Sequence, residues 1–370
     1  MKGSKLTVIS FIFLLLLLIW SGIATAEELP GHVEDAVVEV YDEDGQYIFS
    51  SAMGVSAGDR YINENNKEYE VISVDEGEAV ARYTGEVDLL GDGLTVSVPI
   101  EPIYAQPEDK KIALYCTHSG ESYLPEKAIE DKDRGEIYDV ADNLAEALDE
   151  KGIKTVVSDN VHFPHDAAAY DRSRRTAVQL ERQNRPDAIF DIHRDAIPRK
   201  DEYLKRVDGK LVSQVRIVVG RQNPNMQVNL NLAKHLKAVA DRLHPGLIRG
   251  IFMGKGKYNQ DLSSHALLFE FGTHVTTKEE AIASTYMLAD AINQLFYGSS
   301  AESKAARQEE SRSGWKTALW ILAIVIGGGI GYLFINEGSL GGVTKRLKNM
   351  RSREFGFLGG SKKSSGDGQE

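Results

Sequence analysis

The chain has 370 residues, enough for two domains and appendages, and its 42% hydrophobic and 26% charged residues are ordinary globular values that exclude wholesale disorder. A single cysteine, Cys116, excludes an intramolecular disulfide and any multi-cysteine metal cluster. The net charge of −12 argues against nucleic acid as a partner, because phosphate binding needs clustered Lys and Arg. That acidity is local: residues 27–107 hold 19 acidic and 3 basic residues, whereas residues 108–336 are balanced at 32 and 31.

In chain order, residues 1–26 read as a secretory signal. Lys2 and Lys5 precede the apolar run Leu6–Trp20, and Ala24-Thr25-Ala26 supplies a small-x-small cleavage pattern. An uncleaved amino-terminal anchor is the alternative, and either one exports the body of the chain. Residues 27–107 are expected to form a small acidic all-β module. Ala36–Tyr41, Tyr47–Ser51, Glu68–Val74 and Val80–Tyr83 are short runs rich in Val, Ile and Tyr, with turn chemistry at Asp44-Gly45 and Glu76-Gly77. No group of convergent polar residues stands out there, so the module is read as a positioning or binding unit that supplies no catalytic group.

Residues 108–298 alternate strand and helix. Ile112–Cys116, Thr155–Val157, Ala188–Ile192, Gln214–Gly220, Leu247–Met253 and Ala266–Phe271 read as strands. Helices are expected around Ile137–Leu148, over Tyr170–Arg185 and Asn229–Leu243, and from a Thr276 or Thr277 cap to about Leu295, with Glu279 or Glu280 completing a capping box. This pattern predicts an α/β fold: a mostly parallel sheet with helices on both faces. Residues 299–314 form a polar linker. The expected transmembrane helix at 315–336 includes 20 uncharged residues, 317–336, about the thickness of a hydrocarbon core. The basic tail at 337–370 fits a cytoplasmic flank, so the body is expected on the extracytoplasmic side of the cell membrane.

In open α/β sheets, ligands bind at the carboxyl ends of the strands. Three such ends carry chemistry: His118 and Glu121 after the first strand, His193 in Asp191–Asp195, and Glu270 in the last, very apolar strand. Two imidazoles and a carboxylate from separate strands suit a catalytic zinc, with His118, Glu121 and His193 as ligands and Glu270 as general base. His162 and His165 can line the site or be surface histidines. His274 can orient Glu270 or the substrate. Asn259 and Gln260 suit hydrogen bonds to peptide amides or a polar turn, and Arg194 and Arg249 suit substrate carboxylates or internal ion pairs. Cys116 reads as a small buried hydrophobe.

Six ordered motifs carry a resemblance over roughly residues 108–297: LYCTHSGESYLP (Leu114–Pro125), AYDRSR (Ala169–Arg174), DIHRDA (Asp191–Ala196), HPGLIRG (His244–Gly250), YNQDLS (Tyr258–Ser263) and LLFEFG (Leu267–Gly272). With them the sequence resembles the stage II sporulation protein P family of exported peptidoglycan hydrolases, which looks related to zinc-dependent N-acetylmuramoyl-L-alanine amidases. The resemblance implies peptidoglycan as substrate, zinc as cofactor, and other wall-remodelling proteins of sporulation as partners. It implies His118, His193 and Glu121 as metal ligands and Glu270 as the catalytic carboxylate. Peptide-crosslink endopeptidase activity and a non-catalytic wall-binding scaffold are the competing expectations. Members of the family usually carry an amino-terminal membrane helix, whereas here the anchor is expected at the carboxyl end.

Overall fold

The structure, a computed structural model, describes residues 37–91, 103, 109–129, 133–166, 168–298 and 341. The expected signal (1–26), linker (299–314), transmembrane helix (315–336) and, Gly341 aside, basic tail (337–370) lie outside the described residues. Among the described residues no helix is long and apolar enough to cross a membrane.

The alternation read from the sequence folds as expected from residue 110 onward. Strands β6 (Lys111–Tyr115), β7 (Lys154–Val157), β8 (Ala188–Asp195), β11 (Val215–Gly220), β12 (Ile248–Gly254) and β13 (Ala266–Thr273) lie in the order β12-β11-β13-β8-β6-β7. All neighbours are parallel except β11 and β13. Every residue of β8 and of β13 is buried, as expected for central strands covered on both faces. A short antiparallel hairpin of β9 (Leu204–Val207) and β10 (Lys210–Ser213) precedes β11.

The two faces of this sheet are packed differently. Helices α1 (Ile137–Asp149), α3 (Met226–Leu243) and α4 (Lys278–Tyr297) bury their apolar sides against Ile112, Leu114, Phe190, Ile192, Ile217, Phe269 and Phe271. Thr277 caps α4: its hydroxyl accepts from the Glu280 N–H while the Glu280 carboxylate accepts from the Thr277 N–H, the reciprocal capping box. On the other face α2 (Ala169–Asn184) packs Ala177 and Leu180 on Ala113, Tyr115 and Ile189. Period-two alternation then places Asp191, His193, Asp195, Arg216 and Glu270 on that second face.

The acidic segment forms strands but not a sheet of its own. β1 (Val38–Asp42), β2 (Tyr47–Ser51), β3 (Arg60–Asn63), β4 (Lys67–Asp75) and β5 (Glu78–Glu86) continue the same sheet in the order β2-β1-β5-β4-β3, with β3 antiparallel to β12. Val40 and Phe49 share one apolar cluster with Val218, Phe252 and Leu268 of the second face. Phe49 stacks on Tyr61 at 4.2 Å between ring centroids. The seam is tight at Gly250, where an added Cβ would stand 2.5 Å from the Tyr61 hydroxyl and 2.6 Å from the Ile62 carbonyl. The separate module expected for this stretch is therefore not what these strands build: the edge of β12 is completed by β3 instead of being left open.

Candidate metal and acid–base site

Three strand ends and one loop converge on the second face. After β6, Thr117 ties the chain to the sheet: its N–H and hydroxyl donate to the two carboxylate oxygens of Asp191, at 2.9 and 2.6 Å. His118 comes next, and the turn onward to Glu121 requires Gly120, because a Cβ there would meet the Ile129 carbonyl at 2.1 Å. The Arg194 N–H donates to Glu121 Oε2 at 2.9 Å, so β8 fixes the Glu121 carboxylate directly. His118, Glu121 and His193 are at most 1% exposed.

His193 is oriented from behind. Its Nε2 lies 2.9 Å from Asp191 Oδ1, and its Nδ1 faces Glu121 Oε1 at 3.5 Å. Burial opposes a charge on this imidazole, but the carboxylates of Asp191 and Glu121 outweigh it and push its pKa up to about 10. The His118 ring lies 5.2 Å from that of His193 and 4.2 Å from that of His165. Ligand atoms of His118, Glu121 and His165 all fall within 4.8 Å of one another. The group within mutual ligand distance thus contains His165, from the loop after β7, where the sequence led us to expect His193, and His193 stands beside it, facing Glu121. His162 goes elsewhere: Nδ1 donates to the Cys116 carbonyl at 2.9 Å and Nε2 accepts from the Thr176 hydroxyl at 2.8 Å. Burial lowers its pKa and keeps it neutral.

Glu270 stands beside this cluster in a row across the sheet. The register pairs Arg216 with Glu270 and Glu270 with His193, so one line of side chains crosses β11, β13 and β8. Arg216 Nε donates to Glu270 Oε2 at 2.5 Å, and the Tyr203 hydroxyl lies between that oxygen and Asp195 Oδ2, at 3.2 and 3.0 Å, with one proton to share between them. The other end of the guanidinium pairs with Asp195 and donates to the Ser50 carbonyl at 2.8 Å. Burial raises the Glu270 pKa, the guanidinium of Arg216 opposes it, and Asp195 adds to the rise. The result is pushed up to about 7, the range in which a carboxyl group serves as both acid and base near neutrality.

Arg216, Asp195 and Tyr203 were not singled out by sequence reasoning. The signal existed: Arg216 interrupts the apolar strand VRIVVG as Glu270 interrupts its own. Conversely, Arg194 and Arg249 do not face the site. The Arg194 guanidinium donates to the Ser122 and Asp195 carbonyls. Arg249 pairs with Glu202 and lies over the Tyr203 ring. Asn259 donates to the Tyr170 carbonyl and the Ser173 hydroxyl, at 3.1 and 3.0 Å. His274 is half-buried just past β13, its backbone N–H donating to the Asp195 carbonyl at 3.0 Å. Cys116 is buried among apolar neighbours, which raises its thiol pKa and removes it as a nucleophile.

One further group completes the surroundings. Tyr170 of α2 lies edge-on to His118, with 5.4 Å between ring centroids, and parallel to His193 at 6.2 Å. Its hydroxyl is buried and has no hydrogen-bond partner among the described residues.

The sheet thus carries a buried imidazole–carboxylate group that could hold a metal ion beside a carboxyl group poised near neutrality. Residues 46–293 match the Stage II sporulation protein P (SpoIIP) family, and the chain belongs to that family. It is 32% identical over 209 residues to the Stage II sporulation protein P of Bacillus subtilis (strain 168), covering 51% of this chain and 52% of that protein. The chain thus spans about half the length of the curated relative it matches. Among solved structures, the N-acetylmuramoyl-L-alanine amidase of Clostridium difficile 630 aligns at 17% identity and a TM-score of 0.33, over 51% of this chain and 95% of that one. The amidase AmiC2 of Nostoc punctiforme aligns at 14% and 0.30, over 50% and 93%.

Proposed function

We propose that the protein is a zinc-dependent peptidoglycan hydrolase of sporulation that cleaves the N-acetylmuramoyl-L-alanine amide, tethered to the outer face of the membrane by residues 315–336. The observation that carries the reading is the arrangement of Glu121, His193 and Glu270. Two ligands of a tetrahedral zinc, each ~2.0–2.2 Å from the ion, lie ~3.3–3.6 Å apart, and His193 Nδ1 and Glu121 Oε1 are 3.5 Å apart. That pair, with the ligand atoms of His118, Glu121 and His165 that lie within 4.8 Å of one another, fits a zinc ion. On this reading His118, Glu121 and His193 would hold it, with His165 as the alternative to His193, and Asp191 fixes the orientation of His193 through its other ring nitrogen. Zinc held there supplies Lewis-acid polarisation of a water molecule and of the scissile carbonyl.

The remaining chemistry belongs to the chain. Glu270 takes the proton of the attacking water as the new C–O bond forms. It then delivers that proton to the amide nitrogen as the C–N bond breaks, so one carboxyl group serves both steps. Arg216 and Tyr203 grip Oε2 and fix the side chain. Burial raises the pKa of Tyr170, so its hydroxyl stays protonated and is available to donate to the carbonyl oxygen as negative charge develops there.

Purified wall digested by the full chain tests the reading by mass spectrometry of the products. Free stem peptides with new amino-terminal alanine are expected. Cleaved crosslinks without such peptides would make the protein an endopeptidase, and an absence of products would leave it a scaffold.

A further inference from the structure

Beside the metal donors runs an open groove that the chemistry above does not use. Its volume is about 410 Å³, and its walls include Tyr170, Asp171, Arg174, Lys257, Tyr258 and Asp261. That size falls within the ~300–1,000 Å³ typical of ligand sites. Tyr170 belongs to both places, with its ring 5.4 Å from His118 on one side and 5.3 Å from Tyr258 on the other. The groove therefore begins one aromatic ring away from the donor cluster.

Its walls are fixed by specific contacts. Tyr258 and Asn259 are consecutive left-handed residues, φ +49° and +55°, a conformation that L side chains rarely adopt and that persists only where the surroundings impose it. The Asn259 amide, bonded to α2, imposes it from one side. From the other, Gln260 accepts from the Gly220 N–H and donates to the Val218 carbonyl, both at 2.8 Å. Arg174 grips Asp261 through two hydrogen bonds of 2.8 and 2.6 Å, so these two charges cancel. Lys257 and Asp171 remain, both exposed and neither in an ion pair among the described residues. The groove thus offers one cation and one anion to a ligand.

We propose that this groove receives the peptide stem of the wall, with Lys257 taking a carboxylate and Asp171 an ammonium of its diamino acid. The proposal rests on the hydrolase reading. It gives the enzyme a preference for a zwitterionic diamino acid, such as diaminopimelate, over lysine, which offers the ammonium without the neighbouring carboxylate.

The test is calorimetric titration of the full chain carrying Glu270→Gln with two synthetic tripeptides, L-Ala-γ-D-Glu-diaminopimelate and its lysine counterpart. At least tenfold tighter binding of the diaminopimelate peptide is expected. Lys257→Ala should erase that difference, and Asp171→Asn should weaken both peptides. Equal binding of the two peptides, or groove variants that bind like their parent, overturns the proposal. Wall digestion by the chain with its native Glu270 separates the causes. If products appear while the groove variants bind normally, the groove alone is wrong. If there are no products and neither peptide binds, the hydrolase reading fails and takes the groove with it.

Discussion

Glu270 and His193 are register partners across the parallel pair β13–β8, both fully buried, one held from its far side by Arg216 and the other by Asp191. On the proposed reading this pairing separates proton transfer from metal binding, and substitutions can separate them too. Glu270→Gln keeps the size of the side chain but cannot take a proton. It is expected to retain bound zinc while the rate falls by roughly 10²–10⁴-fold. His118→Ala and His193→Ala should lose zinc and activity together, and Glu121→Gln should weaken zinc retention. His165→Ala identifies the third imidazole: full zinc content in that variant keeps His193 as the ligand, and zinc lost only there transfers the role to His165. Zinc per chain, measured alongside turnover on purified wall, decides each case.

The pH dependence follows from the raised Glu270 pKa of about 7. A general base works only when ionised, so kcat/KM should rise with pH through an acid limb near that value, or below it once a bound cation draws the value down. Arg216 opposes protonation of Glu270, so weakening that contact in Arg216→Lys should move the limb to higher pH. A pH–rate profile of the two proteins checks this, and an unmoved or lowered limb in the variant contradicts it.

Tyr170→Phe removes a buried hydroxyl that has no hydrogen-bond partner among the described residues. Removing an unsatisfied buried polar atom should leave stability unchanged or raise it by about 1 kcal/mol. If the hydroxyl donates to the developing oxyanion, the same change lowers kcat by roughly 10²–10³-fold. Thermal unfolding and kcat measured together decide between the two roles, and unchanged kcat removes Tyr170 from the reaction.

Gly250→Ala probes the seam between β3 and β12. An added methyl group meets the Tyr61 hydroxyl and the Ile62 carbonyl, so β3 must shift, at a cost of roughly 1–3 kcal/mol. Because the Ser50 carbonyl accepts from Arg216, activity should fall in step with stability. Deleting residues 33–102 removes that carbonyl and bares the edge of β12, and should give an unfolded or aggregated protein by circular dichroism. A folded deletion protein with activity within about tenfold of the parent would show that the two halves are separable.

Much of this architecture was legible in the sequence, because a charged residue inside an apolar strand is costly enough to need a purpose. That reasoning finds His193 and Glu270 and applies equally to Arg216. The hairpin of β9 and β10 was missed although Asp208-Gly209, at φ +50° and +79°, is the turn pair such hairpins favour. The joining of the acidic strands to the main sheet was not legible. β3 is only 4 residues long, and its partner β12 lies almost two hundred residues later in the chain. Arg194 and Arg249 looked suited to substrate carboxylates, but the partners that occupy them are brought up from elsewhere by the fold, which local sequence does not reveal.

The position of β13 has a consequence for when the site can form. Among the described residues it is the last strand in sequence, yet it lies inside the sheet between β11 and β8. A chain whose last strand has not yet folded therefore has a gap in the sheet, and the residue that fills the gap opposite His193 is Glu270 itself. The strand that closes the sheet and the Glu270 carboxylate arrive together. Until residues 266–273 join the sheet, the protein has neither a closed sheet nor a carboxylate opposite His193, so on the proposed reading an incompletely folded molecule is inactive.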